Sequence, residues 1–131
     1  MSQENVDRVV EGIEAFNRRE IEGILRFVDP EIRFEHWLAE LQGSFVGIDA
    51  LRGWFADIFD HFSSGEIDCT DIRDLGDQVL ALGTVSGVGA ESGVEIEQPY
   101  TVLARFENGL ITEFTDFGDR AKALEAAGLS E

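Results

Sequence analysis

Residues 33–37 read Arg-Phe-Glu-His-Trp, inside the run FVDPEIRFEHW. A carboxylate, an imidazole and a guanidinium sit among aromatic rings on a stretch that alternates like a β-strand. On a strand, Arg33, Glu35 and Trp37 share one face, and Phe34 and His36 share the other. Glu35 is a candidate general acid or base, with Trp37 as an apolar wall. Partial burial beside aromatic rings raises a carboxyl group toward working pH. Ile32 and Phe34 read as core, which leaves Glu35 for a pocket, for a pair with Arg33 on an exposed strand, or for a dimer contact. His36 is a candidate proton shuttle near neutral pH. Strand parity sets it with Phe34, where a packed and satisfied histidine is the simpler reading. A slip of one residue exchanges the two, so Glu35 and His36 stand as a linked pair.

Asp116, in EFTDF, is the third candidate. Leu110, Thr112, Phe114 and Asp116 fall on one strand face, and a carboxylate on a mostly apolar face needs a reason. The reason is catalysis, a cap for the next helix, or a salt bridge with Arg120. Asp119 is better placed as the cap. Tyr100, the only tyrosine, could donate a hydrogen bond to a ligand oxygen or serve as a half-buried wall. Trp54 and the phenylalanines read as core or pocket lining.

These residues need elements to position them. Val6, Val9, Val10, Ile13 and Phe16 follow the spacing of one helix face. A short helix spans Glu20 to Val28 and stops before Pro30. Ile32 to Trp37 is a strand. Ile48, Leu51, Phe55, Ile58, Phe59 and Phe62 mark a third helix, ended by Ser63-Ser64-Gly65. Strands follow at Glu66–Asp74, Val79–Gly89, Val94–Phe106 and Leu110–Phe117. Turn residues separate them, and Asn108-Gly109 is a strong hairpin signal. Asp119 to Ala127 is a last helix, stopped by Gly128. Helices early and strands late predict an α+β fold, with helices packed on one face of a curved, mostly antiparallel sheet. Such an arrangement has an interior that can hold a ligand.

The 131 residues fit a single domain, 1–131, with 44% hydrophobic and 28% charged positions. The net charge of -17 disfavours nucleic acid and anionic membrane as partners. No apolar run is long enough to span a bilayer, the start of the chain lacks the pattern of a secretory signal, and Cys69 has no partner for an intrachain disulfide. A cytoplasmic location is the expectation. There is no paired-histidine zinc spacing, cysteine cluster, phosphate loop or nucleophile elbow, so neither a metal nor a cofactor is expected.

Three stretches, FVDPEIRFEHW, GSFVGIDALRGWF and ARFENGLITEFTDFGDRAKALEAAGL, are similar to the SnoaL-like members of the nuclear transport factor 2 superfamily. The resemblance covers essentially the whole chain. It implies a cone with a pocket and, commonly, a homodimer formed across the outer face of the sheet. It also implies, through the polyketide cyclases of this type, that Asp116 matches a catalytic base on the final strand. The cyclases' histidine on the penultimate strand is replaced here by the Tyr100–Val102 region. Against ketosteroid isomerase, Glu35 falls where the base would be, but the oxyanion donors fall on or near Gly12 and Val102. The epoxide-hydrolase Asp-Arg-Asp set is not matched by Asp71-Ile72-Arg73.

The expected function is cofactor-free general acid-base chemistry on a small apolar carbonyl compound: isomerisation, cyclisation or dehydration. Asp116, Glu35 and His36 are the catalytic candidates. Tyr100, Trp37, Trp54, Arg33 and Phe114 are the substrate-binding ones. The alternatives are a pocket that binds without catalysis and a structural dimer whose cavity is filled by its own phenylalanines.

Overall fold

The computed structural model describes residues 2–36 and 45–129. Helix α1 (Ser2–Asn17) lays Val9, Ile13 and Phe16 on the core, while Val10 turns outward and is 40% exposed. A short α2 (Ile21–Ile24) follows. Strand β1 (Val28–His36) is joined by a two-residue β2 (Phe45–Val46), and α3 (Ile48–His61) runs directly into β3 (Phe62–Asp74). Strands β4 (Gln78–Gly89), β5 (Glu95–Glu107) and β6 (Leu110–Asp116) lead to α4 (Arg120–Ala126).

The six strands form one sheet in the order β2-β1-β6-β5-β4-β3. Every pair is antiparallel except β1 with β6, which is parallel. Helices α1 and α3 cover the inner face and α4 the outer one. Strand β4 shows the consequence most clearly. Val79 and Ala81 pack inward with the main core, while Leu80 and Leu82 pack outward against Ala123 and Leu124 of α4. All four are at most 1% exposed, because both faces of this strand are covered.

Local chemistry sets the boundaries. Asn108 and Gly109 both take left-handed backbone (φ 52 and 79), as a tight two-residue hairpin requires. The Asp119 carboxylate accepts from the Lys122 N–H and caps α4. At the other end, Leu129 N–H reaches Leu124 O while Gly128 N–H reaches Glu125 O, closing the helix around a left-handed glycine. Two expected boundaries move. Helix α2 ends before Leu25, and β1 already begins at Val28, passing through Pro30 where its register with β6 is broken. Residues 63–65 are strand and not a stop, because Ser64 and Gly65 pair with Val88 and Gly87.

The end of α1 is tied to the sheet by one side chain. The Asn17 carboxamide accepts from Ile67 N–H at 2.8 Å and donates to Ile67 O at 3.0 Å. It thereby serves a strand position as a neighbouring strand would. Asn17→Ala leaves both backbone groups of Ile67 short of a partner, at an expected cost of about 1–3 kcal/mol. A urea unfolding midpoint should fall accordingly with an unchanged slope; an unmoved midpoint would show that the clasp holds nothing.

Candidate functional site

The inner face of the sheet does not close against the helices. A cavity of about 380 Å³ lies between α1, α3 and strands β3 to β6. Phe16, Phe55, Phe59 and Phe114 line this space without filling it. Small residues along the same walls, Gly12, Gly87 and Ala104, keep it open. The volume lies in the range of small-molecule sites.

Strand parity decides which polar groups reach it. Ile32 and Phe34 are 0% and 1% exposed, so the inner face of β1 carries Ile32, Phe34 and His36. Arg33 and Glu35 are exposed on the opposite face and do not line the cavity. The sequence reading had set core and pocket on opposite faces of this strand. They are one face, since the pocket is the unfilled part of the core. His36 therefore takes the position considered for Glu35. Trp37 lies outside the described residues.

The other chemical residues converge on the same end. Parallel pairing sets His36 beside Asp116, and antiparallel pairing sets Asp116 beside Val102. Asp116, Tyr100, Trp54 and Phe114 all line the cavity. A register shift after Arg105 leaves Thr112 as an extra residue in β6. It moves Ile111, in place of Leu110 and Thr112, onto the cavity side with Phe114 and Asp116.

The Asp116 carboxylate is 8% exposed and held on one side. Its Oδ1 accepts from the Thr101 hydroxyl at 3.0 Å and from Gly118 N–H at 3.1 Å. The Thr101 hydroxyl itself accepts from Gly118 N–H at 2.8 Å. Oδ2 faces His36 Nε2 at 3.8 Å, close enough for charge coupling and too long for a hydrogen bond. The imidazole lies against Trp54 with ring centroids 5.4 Å apart, and Trp54 packs on Phe34 at 4.7 Å.

Asp116 neither caps α4 nor pairs with Arg120, which reaches Asp71 at 3.0 Å. Thr101 and Gly118 were not expected as site residues. Nothing in their sequence context marks them, since their role comes from the β5–β6 register and the turn after β6. Arg8 was also missed. It lines the cavity from α1, four residues before Gly12 on the same helix side. Among the described residues no cluster of three or more His, Cys, Asp or Glu side chains is placed to hold a metal ion.

Burial dominates the electrostatics. It pushes the Asp116 carboxyl above its usual value of 3.8, opposed by the hydrogen bonds from Gly118 and Thr101 and by His36. It pushes His36 below its usual 6.5, opposed by the charge of Asp116. Burial, reinforced by the Asp116 charge, pushes the Tyr100 hydroxyl well above the ordinary tyrosine range, so it remains a proton donor.

These shifts act on stability with opposite signs. The folded imidazole binds a proton less tightly than the unfolded one. Its contribution is therefore full above pH 6.5 and lost as pH falls from there through the folded value. Asp116 contributes most below 3.8 and loses that contribution as pH rises through its folded value. Stability measured by urea unfolding between about pH 5 and 8 should fall toward the acid end, and His36→Gln should flatten that slope. Equal slopes in the two proteins would mean that His36 does not carry the proton.

The comparisons agree with this architecture. No curated protein matches the chain by sequence. Among solved structures, an NTF2-like protein of unknown function from Burkholderia pseudomallei superposes with a TM-score of 0.79 at 25% identity, covering 93% of this chain and 95% of that one. A putative SnoaL-like polyketide cyclase from Jannaschia superposes at 0.77 with 17% identity, covering 86% and 83%. A putative polyketide cyclase from Xanthomonas campestris superposes at 0.72 with 23% identity, covering 87% and 89%. The family model of the SnoaL-like domain matches residues 9–114. That match covers most of the chain, and the chain belongs to the SnoaL-like domain family.

Proposed function

We propose that the protein is a cofactor-free enzyme that moves a proton on a small, largely apolar carbonyl compound. The observation that carries this reading is the Asp116–His36 pair, Oδ2 to Nε2 at 3.8 Å, facing a mostly apolar cavity.

A raised carboxyl is a better base than an ordinary aspartate once ionised. Oδ1 is occupied by Thr101 and Gly118, so Oδ2 is the oxygen left to act. It takes the proton from carbon next to the substrate carbonyl, and the C–H electron pair moves onto the carbonyl oxygen as an enolate. Tyr100, kept protonated by burial, can donate a hydrogen bond to that oxygen. Return of the proton at another carbon completes an isomerisation, with neutral His36 relaying it. Attack of the enolate carbon on a second carbonyl in the same molecule gives a cyclisation. Loss of a β-hydroxyl with that proton, as water, gives a dehydration. The likeness to putative polyketide cyclases supports this class of chemistry. The family also makes a homodimer part of the reading, with the outer sheet face, where Arg33, Glu35 and Glu113 lie, as its contact. Sedimentation should then give twice the chain mass; a monomer at working concentration would remove that element.

The direct test is exchange of α-protons for deuterium in a panel of apolar ketones, followed by NMR. Wild-type protein should accelerate exchange for at least one ketone. Asp116→Asn should lose on the order of 10²–10⁴ of that rate, and His36→Gln a smaller part. If ketones bind but none exchanges above buffer, a non-catalytic binding pocket replaces this reading; if both variants exchange as fast as wild type, the Asp116–His36 pair does not carry the chemistry.

A further inference from the structure

Away from Asp116, the cavity has a second polar group that the proton-transfer reading does not use. Arg8 lines the cavity and is half-buried. Among the described residues it has no carboxylate partner. Its Nη1 donates to Asn5 Oδ1 at 3.1 Å, and its guanidinium lies over the Phe27 ring at 5.2 Å. Arg19, Arg33 and Arg105 also lack a carboxylate partner among the described residues, and of these four only Arg8 and Arg19 line the cavity. Arg18, Arg26, Arg52, Arg73 and Arg120 each meet an Asp or Glu. Arg19, the other arginine lining the cavity, donates to the carbonyls of Phe59 and Phe62.

The setting holds Arg8 ready. Phe27 is fixed to the start of β6, because its carbonyl accepts from Ile111 N–H at 2.7 Å. Arg26 lies over the same ring at 5.1 Å, its charge met by Glu11 at 3.7 Å. The β5–β6 turn makes room as well. A Cβ on Gly109 would come within 3.3 Å of the guanidinium carbon. Asn5, which steadies Arg8, is itself bonded to Gly76 O at 3.2 Å. A guanidinium so placed keeps donors in a planar fork that matches a carboxylate.

Arg8 and Asp116 sit toward opposite ends of β6. Ile111, next to Phe27, and Asp116 face the same cavity about four strand steps apart, on the order of 13 Å. We propose that Arg8 is an anion subsite that takes the carboxylate of an amphipathic ligand, with the ligand's apolar body crossing the cavity toward Asp116 and His36. The proposal rests on the proton-transfer reading for its reacting end, and it names the substrate class as an apolar carbonyl compound carrying a carboxylate at its far end. Its binding half concerns Arg8 alone. The net charge of -17 opposes any anion at long range. That field is screened within about 8–10 Å at ordinary salt, whereas contact with a half-buried guanidinium is not.

The test uses octanoate, 1-octanol and octylamine, matched in length and differing in the head group, titrated into the full chain and followed by calorimetry. Wild-type protein should bind octanoate about tenfold or more tighter than octanol. Arg8→Gln should bring octanoate down to the level of octanol while leaving octanol binding unchanged, which also shows that the variant is folded. Arg8→Lys should keep part of the preference. Asp116→Asn should abolish ketone exchange and leave the octanoate preference in place, so the two readings fail separately. Equal binding of octanoate and octanol to wild type, a preference that survives Arg8→Gln, tightest binding of octylamine, or binding of none of the three would each overturn the proposal.

Discussion

Placing the Asp116 carboxylate almost out of water carries a free-energy cost that the surrounding chain must offset. A buried carboxylate without partners is costly to ionise, and two hydrogen bonds to one of its oxygens recover much of that loss. Thr101 and Gly118 supply them, and Gly118 N–H also reaches the Thr101 hydroxyl, so three groups brace each other. That bracing needs β5 and β6 in register and a turn directly after Asp116, where Gly118 takes a left-handed φ of 71. It also leaves the second oxygen toward the cavity. The parallel β1–β6 pairing then sets His36 next to it. The position of α4 follows too, because the chain leaves this turn and caps the helix within a few residues at Asp119.

The cavity exists because the inner face of the sheet is short of volume. Ala81 and Ala104 are buried there, and Gly87 lines the wall. Gly83, which pairs with Tyr100, cannot carry a side chain, because a Cβ would lie 2.0 Å from Asp68 O. The outer face shows the contrast. Leu80 and Leu82, on the same strand as Ala81 and Gly83, fill the space under α4. One strand thus builds a dry core on one side and helps bound a ligand-sized void on the other. What distinguishes the sides is the size of alternate residues, since both are apolar.

That contrast explains what could be read from the sequence. The fold class, the order of most elements, the Asn108-Gly109 hairpin and the Asp119 cap depend on local patterns, and they stand in the structure. The site was half legible. Asp116 was visible as a carboxylate on an apolar strand face, and it lies in the cavity with Tyr100, Trp54 and Phe114. For Glu35 the sequence leaves a pocket, an exposed pair with Arg33 and a dimer contact open, and the pocket option assumes a pocket across the strand from Ile32 and Phe34. Periodicity reports which side is apolar and cannot report whether that side is filled. The bulge at Thr112 was equally hidden, because it is a property of the pairing of β6 with β5 and not of β6 itself. Arg8 and Thr101 carry no local signal, since one reaches the cavity from a helix and the other reaches Asp116 around the edge of a strand.

The electrostatics of the Asp116–His36 pair follow from the same geometry. Burial favours the neutral form of both groups, while their mutual attraction favours the charged forms. Burial is the stronger of the two and brings the proton affinities of this acid and base closer together than they are in water, while their attraction works to separate them. A smaller difference in proton affinity lowers the free-energy cost of moving a proton between two such groups. A ligand that fills the cavity displaces water, which strengthens both influences. The packed rings of Phe34, Trp54 and Phe114 therefore bear on the electrostatics of the pair as well as on the packing. Opening those rings to water would move Asp116 and His36 back toward their ordinary values.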